Sequence, residues 1–236
     1  MKSIAAAFKF LTIWNRYTRS QPDSGLVGTS VPYFPLVGLF LGLMLALLPR
    51  ALENYLDAEI LSIVLTALLI FVTGGLHLEA LQKTFDAVPA GRIPTTTAQS
   101  SGAMGIIAIL LVLLFKIKSI DILEVKLTPG LLLTPVLARW ALIVFVYGAQ
   151  RHAEGEARLI AQNVSFWHLL LTTFGTLALA TYLLGRTGLW IGLCLSILTL
   201  VWRILLQKRN GVLTRDNFGA VIELSEALSF TLLASL

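Results

Sequence analysis

An uncharged run, Val31–Leu48, reads VPYFPLVGLFLGLMLALL. A helix rises about 1.5 Å per residue, so roughly 20 apolar residues cross the hydrocarbon core of a bilayer. This run therefore has close to the length of a membrane-spanning helix. Six further apolar runs follow it: Ile60–Leu76, Met104–Ile117, Gly130–Tyr147, Phe166–Leu184, Thr187–Leu205 and Phe218–Leu236. The run that begins at Met104 is short unless it extends at both ends, so we predict six or seven crossings.

The composition excludes an ordinary soluble domain. Hydrophobic residues make up 56% of the chain, charged residues make up 13%, and the mean hydropathy is +0.82, whereas soluble domains carry about 25% charged residues. We therefore predict an all-α, polytopic transmembrane helix bundle that forms one integral membrane domain, 1–236. Ile4, Phe8 and Leu11 recur at helical spacing beside Lys2 and Lys9, which predicts a short N-terminal helix in the membrane interface.

The distribution of basic residues predicts the orientation of the chain, because loops on the cytoplasmic side carry an excess of Lys and Arg. If the N-terminus is cytoplasmic, twelve basic residues lie inside and five lie outside, with Arg139 left within a span. The inside set is Lys2, Lys9, Arg16, Arg19, Lys83, Arg92, Arg151, Arg158, Arg203, Lys208, Arg209 and Arg215, and the outside set is Arg50, Lys116, Lys118, Lys126 and Arg186. We expect an integral protein of the cytoplasmic membrane, with 73–103, 149–165 and 206–217 on the cytoplasmic side. The pI of about 9.6 reflects this orientation, and no nucleic-acid partner is expected.

A first acidic face is expected in the longest non-apolar stretch, Gly74–Gly102. If this stretch is helical, Glu79, Lys83 and Asp86 follow i, i+4, i+7 spacing and share one side of the helix. The same spacing also suits an ordinary Glu79–Lys83 ion pair at the membrane surface, worth a few tenths of a kcal/mol. From the spacing alone, both interpretations stay open.

A second acidic face is expected near the C-terminus, where Asp216, Gly219, Glu223 and Glu226 follow 0, 3, 7, 10 spacing. Glu223 and Glu226 lead into an apolar run, and a carboxylate at membrane depth costs roughly 2.5 kcal/mol or more unless it is paired or hydrated. Carboxylates from two helices that meet at one membrane edge would suit a hard cation such as Mg²⁺, which takes oxygen ligands and bridges to phosphates. The residues alone therefore predict a membrane bundle with an acidic cation site facing the cytoplasm.

Two further polar residues have open interpretations. His77 follows Gly74 and Gly75 and could contact a phosphate or act as an acid–base group, although it could equally be a structural residue at a helix end. Arg139 lies inside an apolar run, where it could contact an anion or pair with one of the acids on another helix.

Several motifs carry a resemblance to one family. Its members begin with Phe-Leu-Thr and continue with Tyr/Phe-Phe-Pro-Leu-Val-Gly, and their most specific motif is Thr-Gly-Gly-Leu-His-Leu-Asp-Gly-Leu-Ala-Asp-Thr-x-Asp-Gly. A Gly-x-Phe-Gly, an Arg-Trp and a C-terminal Thr-Gly-Asp-x-x-Gly-Ala-x-x-Glu-x-x-Glu follow. The matching stretches here are Phe10–Thr12, Tyr33–Gly38, Thr73–Ala87, Gly102–Gly105, Arg139-Trp140 and Thr214–Glu226. In order and spacing the chain resembles the cobalamin synthases, or adenosylcobinamide-GDP ribazoletransferases.

The chain departs from this pattern at charged positions. The family has Asp where this chain has Glu79, Asp where it has Lys83, and Gly where it has Arg215. A family Lys-Asp-Ser-Arg aligns with Thr97-Ala98-Gln99-Ser100, so an aspartate and an arginine are lost. Either the enzyme has a re-tuned charge distribution, or it is a catalytically impaired paralogue.

The resemblance implies the last joining step of cobalamin nucleotide-loop assembly, with adenosylcobinamide-GDP and α-ribazole (or its 5′-phosphate) as substrates and Mg²⁺ as cofactor. It implies catalytic roles for His77, Glu79, Lys83 and Asp86, with Lys83 replacing part of the charge of the missing arginine. The implied metal ligands are Glu79, Asp86, Asp216 and Glu223, and the implied substrate contacts are Arg139 and Glu226. The alternative is a non-enzymatic transporter or scaffold. Besides membrane lipid, the expected partners are a second copy of the chain or another enzyme of the pathway.

Overall fold

The structure is a computed structural model that describes residues 2–14, 24–52, 55–90 and 102–236. Within these ranges the chain folds into helices joined by short turns. They are α1 (Lys2–Leu11), α2 (Ser24–Ser30), α3 (Phe34–Leu52), α4 (Ala58–Thr73), α5 (Leu76–Ala90), α6 (Ala103–Asp121), α7 (Leu127–Val146), α8 (Gly155–Asn163), α9 (Phe166–Leu184), α10 (Arg186–Asn210) and α11 (Arg215–Ser235). Short 3₁₀ turns precede α3, α7 and α8 at Val31–Tyr33, Glu124–Lys126 and Gln150–His152.

The prediction of an all-α polytopic bundle is confirmed. Six helical segments in the described ranges are long and apolar enough to cross a membrane, and a seventh crossing is possible if the bent pair α4–α5 counts as one. The short run that begins at Met104 extends in the structure to the whole of α6, Ala103–Asp121. Its greater length gives α6 about the 20 residues that a crossing needs.

The helix α7 forms the centre of the bundle. In its apolar segment 83% of the residues are buried inside the protein, against 11% in α9 at the periphery. The neighbouring α3 approaches α7 very closely, because Gly38 and Gly42 lie directly against the backbone of Pro135 and Leu132. Small residues at such contacts allow membrane helices to pack by van der Waals contact.

A sharp break separates α4 from α5. The sequence predicted one apolar run, Ile60–Leu76, but α4 ends at Thr73 and α5 begins at Leu76 at an angle of 87° to it. Gly74 and Gly75 lie between them with φ of +64° and +66°, a backbone region that residues with a Cβ rarely adopt. The break turns α5 away from the line of α4.

The redirected helix α5 runs antiparallel to α11. Near one end of the pair the Asn217 amide donates a hydrogen bond to the Thr84 hydroxyl (3.3 Å). Further along, Gly219 lies so close to Ala80 and His77 that a Cβ added to it would lie 2.5 Å from the Ala80 Cβ. The two segments for which the sequence predicted acidic faces are therefore direct neighbours.

Segments predicted to share a membrane side meet at the same end of the bundle. The backbone of Leu213 pairs with His152 and Glu154, and Arg215 forms an ion pair with Glu156 (2.8 Å). At the opposite end Lys118 lies 3.8 Å from Glu59. This arrangement agrees with the alternating crossings, while the assignment of one end to the cytoplasm stays a prediction.

The predicted N-terminal helix is present as α1. Ala6, Ala7, Phe10 and Leu11 are buried against the rest of the protein, and just after the helix the Ile13 amide donates to the carbonyl of Val72. Its location in the membrane interface stays a prediction. The stretch Thr97–Ser100, where the family motif is lost, lies outside the described residues.

Candidate active site

A cavity of about 360 Å³ lies between α1, α5 and α11. Phe10 contributes from α1, and the remaining walls come from Thr73–Ala87 and Thr214–Glu226, the two longest stretches that match the family motifs. Its charged and titratable wall residues are His77, Glu79, Lys83, Arg215 and Asp216. The structure thus brings Glu79 and Asp216, one acid from each predicted face, to the same cavity.

Two ion pairs lie at this cavity and both reach solvent. Lys83 donates to Glu79 at 2.8 Å, with side chains 36% and 49% exposed. Arg215 pairs with Glu156 at 2.8 Å, and its guanidinium also lies 5.0 Å from the centroid of the Phe10 ring. Exposed pairs of this kind contribute about 0–1 kcal/mol, so an incoming anion can replace either carboxylate at small cost.

His77 lies in the cavity wall and is 6% exposed. The Leu11 backbone of α1 interacts with the imidazole, and Nε2 is buried without a hydrogen-bond partner among the described residues. The ring therefore borders the cavity while Nε2 itself is not exposed to it, and the catalytic role of His77 stays a prediction.

Asp86 has a different environment from Glu79. Its carboxylate accepts the backbone N–H groups of Gly102 (2.9 Å) and Gly105 (2.7 Å). These are otherwise unpaired donors at the N-terminus of α6, where a negative charge is also favoured by the helix dipole. Asp86 thus ties the end of α5 to the start of α6, and its role as a catalytic residue and metal ligand stays a prediction.

Glu223 and Glu226 lie deeper along α11, in the interior of the bundle. Lys116 of α6 donates to both carboxylates at 2.6 Å, and Arg139 of α7 pairs with Glu226. All four side chains are at most 4% exposed. Of the two interpretations of Arg139, the structure therefore forms the interhelical pair, while the substrate contacts predicted for Arg139 and Glu226 stay predictions.

The four predicted metal ligands do not gather at one point. Within the described ranges, no three His, Cys, Asp or Glu side chains are grouped closely enough to hold a metal ion. Glu79 and Asp216 share the cavity, whereas Asp86 binds the N-terminus of α6 and Glu223 binds Lys116. Metal binding by any of the four stays a prediction.

Two residues of this region have only weak signals in the sequence. Lys116 was counted among the outside charges, because it lies near the end of an apolar run, but it is 2% exposed inside the bundle. The sequence patterns place Arg215 among the inside basic residues and as a departure from the family motif, and it lies in the cavity wall. The signal that could have identified Lys116 is a charge embedded in an apolar run. The signal for Arg215 is a charge next to a predicted site residue, Asp216.

Comparison with known proteins places the chain in a family. The family described as cobalamin-5-phosphate synthase matches residues 3–234. Similar proteins named adenosylcobinamide-GDP ribazoletransferase include one from Desulforamulus reducens, 32% identical over 95% of this chain and 92% of the relative. Those from Pseudomonas entomophila (30% identical, 93% of each chain) and Geotalea daltonii (29% identical, 89% of this chain and 87% of the relative) carry the same name. No solved structure matches the chain significantly.

A match over almost the entire length includes both motif segments that line the cavity. The chain belongs to the cobalamin-5-phosphate synthase family.

Proposed function

We propose that this protein is an adenosylcobinamide-GDP ribazoletransferase that works at the cavity between α1, α5 and α11. A hydroxyl of α-ribazole, or of its 5′-phosphate, attacks the phosphorus attached to the cobinamide side of adenosylcobinamide-GDP. The new P–O bond joins the two substrates, the bond to the GMP moiety breaks, and GMP leaves. The observation that carries the proposal is the family match over residues 3–234, together with a cavity walled by the two matched motif segments.

The basic residues at the cavity hold the diphosphate of the substrate. Lys83 and Arg215 are both in the wall, and each is held now by one partly exposed carboxylate. A diphosphate carries more negative charge than a carboxylate and offers several acceptor oxygens, so it competes well for these donors. Catalysis of phosphoryl transfer depends mainly on such positioning and on neutralisation of phosphate charge.

The acids of the cavity fit a Mg²⁺ ion that retains water and phosphate ligands. Glu79 and Asp216 supply two carboxylates, and Mg²⁺ is usually held by one or two carboxylates together with water and substrate phosphates. When bound there, the ion would supply charge neutralisation at the transferring phosphate. The Lys83 ammonium would then exchange Glu79 for a phosphate oxygen.

His77 is the group that we assign to accept the proton of the attacking hydroxyl. Its ring lies in the cavity wall, whereas its Nε2 is buried in the structure and has no hydrogen-bond partner among the described residues. A small movement of the cavity wall on substrate binding would bring Nε2 within hydrogen-bond reach of the hydroxyl, which a general base requires.

The cavity opens towards the cytoplasm in the cytoplasmic membrane. Arg215 and Asp216 lie within 206–217, one of the segments with the excess of basic residues, and the paired segment around His152 lies at the same end. An excess of Lys and Arg on the cytoplasmic side is the usual pattern for such loops. Both polar substrates would therefore enter from the cytosol.

Purified protein in lipid nanodiscs tests this function. We expect equimolar GMP and adenosylcobalamin (or its 5′-phosphate) from adenosylcobinamide-GDP and α-ribazole (or its 5′-phosphate) in the presence of Mg²⁺, and no product after chelation with EDTA. Glu79→Gln should lower the rate, whereas Glu59→Gln, a carboxylate change at the opposite end of the bundle, should not. A folded wild-type protein that forms no joined product would favour an impaired paralogue or a non-enzymatic role.

A further inference from the structure

Four charged side chains from three spans meet inside the bundle. Lys116 of α6 donates to Glu223 and Glu226 of α11, each at 2.6 Å, and Arg139 of α7 pairs with Glu226. We call these four residues the buried quartet. Its two positive and two negative charges balance, and no member is more than 4% exposed.

Burying four charged side chains inside a membrane bundle is energetically unfavourable compared with apolar packing. Isolated charges in a membrane interior are strongly unfavourable, and intramembrane ionisable residues are usually paired and functional. Well-packed apolar side chains could fill the same space with equal or better stability, so such ion pairs are better explained by the unique arrangement that they impose. The arrangement in question here is the rotation of α11 about its own axis.

One face of α11 joins the buried quartet to the cavity. Asp216, Gly219, Glu223 and Glu226 lie on this face, following helical spacing. Asp216 is in the cavity wall, Gly219 lies against Ala80 and His77, and the two glutamates bind Lys116. Because a helix is nearly rigid over three turns, fixing the glutamates also fixes where Asp216 and Gly219 point.

The buried quartet also lies close to the floor of the cavity. Glu223 follows one helical turn after Gly219, which is in the cavity wall and packs against His77, and Arg139, Glu226 and Lys116 act electrostatically on His77. A net charge left among them would therefore be felt at the residue that the proposed reaction uses as a base. Both the geometry and the charge of the cavity floor depend on the same four side chains.

We propose that Lys116 is a positioning residue for the cavity, acting through Glu223 and Glu226 to set the rotation of α11 and to keep the cavity floor electrically neutral. This inference rests on the proposed function, because its main readout is turnover. Lys116 is not one of the residues that line the cavity. Its ammonium, which belongs to α6, forms ion pairs with two carboxylates of α11 and so holds that helix in one rotational position.

The test compares Lys116→Met, Glu223→Gln and the double variant in nanodiscs. Each single change leaves one uncompensated charge, and misplacement of a site from a distance can lower turnover by about 10- to 100-fold. The double variant leaves the neutral Arg139–Glu226 pair, so its kcat should exceed that of either single variant by about tenfold. Lys116→Arg should retain most activity, since it preserves the charge.

Lys118→Met is the matched control. Lys118 is two residues along the same helix, is 65% exposed and pairs with Asp121 and Glu59, so turnover should remain at the wild-type level. Thermal unfolding of every variant is measured in parallel, and the double variant keeps the test valid if Lys116→Met alone fails to fold.

Rescue of kcat in the double variant would support the positioning role. Additive losses in a folded double variant, or full activity of Lys116→Met, would overturn it. Absence of turnover in the wild-type protein and in Lys118→Met would instead contradict the proposed function and remove the inference with it.

Discussion

Replacement of Lys83 by Asp reverses the one basic charge that α5 contributes to the cavity. Lys83 forms a partly exposed pair with Glu79 at 2.8 Å, which contributes about 0–1 kcal/mol to the free energy of unfolding. The new carboxylate also repels Glu79 by a few tenths of a kcal/mol at i, i+4 spacing. The fold should therefore survive the change with only a small fall in Tm.

The effect on turnover should be much larger than the effect on stability. The charged wall residues Lys83 and Arg215 balance Glu79 and Asp216, and Lys83→Asp leaves a net charge of −2. Two unit charges about 6 Å apart interact by roughly 2–3 kcal/mol at an effective dielectric constant of about 20. Because the side chains are partly exposed, we halve this energy to about 1.4 kcal/mol, which corresponds to a tenfold change in kcat/KM. Loss of the attraction between Lys83 and the substrate phosphates contributes one such factor, and the new repulsion by Asp contributes a second.

We therefore expect kcat/KM for adenosylcobinamide-GDP to fall by about 10-fold in Lys83→Met and about 100-fold in Lys83→Asp. Initial rates of GMP release by the purified variants give the measurement. Lys118→Asp is the matched control at the opposite end of the bundle and should retain wild-type kcat/KM.

A rise in activity or in Mg²⁺ affinity on Lys83→Asp would refute this reasoning. It would mean that the aspartate typical of the family restores a damaged metal site, and that the wild-type protein is an impaired paralogue. Unchanged turnover would show that Lys83 does not act at the reacting phosphates.

Three further outcomes are expected from the same geometry. Asp86→Ala should lower the stability by about 1–2 kcal/mol in thermal unfolding, because two N–H groups at the start of α6 lose their acceptor; loss of turnover at unchanged Tm would point to metal binding instead. Gly219→Leu should separate α5 from α11 and abolish turnover, since there is no room for a Cβ at this position, and retained activity would contradict the close packing. With Cys194 changed to Ser, a cysteine at Lys208 should be labelled from the cytoplasmic side and one at Val125 from outside, and the reverse pattern would invert the topology.

The spans and the presence of both acidic faces could be predicted from the sequence. Hydropathy reports the cost of placing side chains in lipid, and this cost depends little on the neighbours of a residue. The order of the crossings follows from the same property. The exception is the region around Gly74 and Gly75, where an apolar run continued past the true end of α4 and only the paired glycines with positive φ mark the turn.

The partners of the acids could not be predicted from the sequence. The spacing correctly placed Glu223 and Glu226 on the face that carries Asp216, but spacing along one helix does not reveal what approaches from another. Lys116 is 107 positions from Glu223 in the chain, and the sequence interpretation assigned it to an outer loop. The spacing of residues along each helix therefore predicts which acids share a face. The contacts between helices determine which of these acids are exposed to solvent and which pair with a buried cation.

The location of the reaction at the cavity between α5 and α11 is tested most directly by the kcat of Asp216→Asn. The change removes one charge from the cavity wall and keeps the shape of the side chain. We expect kcat for joining adenosylcobinamide-GDP to α-ribazole to fall by about 100-fold. The control is Asp121→Asn, an equivalent change at the C-terminal end of α6, where Asp121 pairs with Lys118; it should leave kcat unchanged. Equal kcat values for Asp216→Asn, Asp121→Asn and the wild-type protein would contradict the assignment of this cavity as the active site.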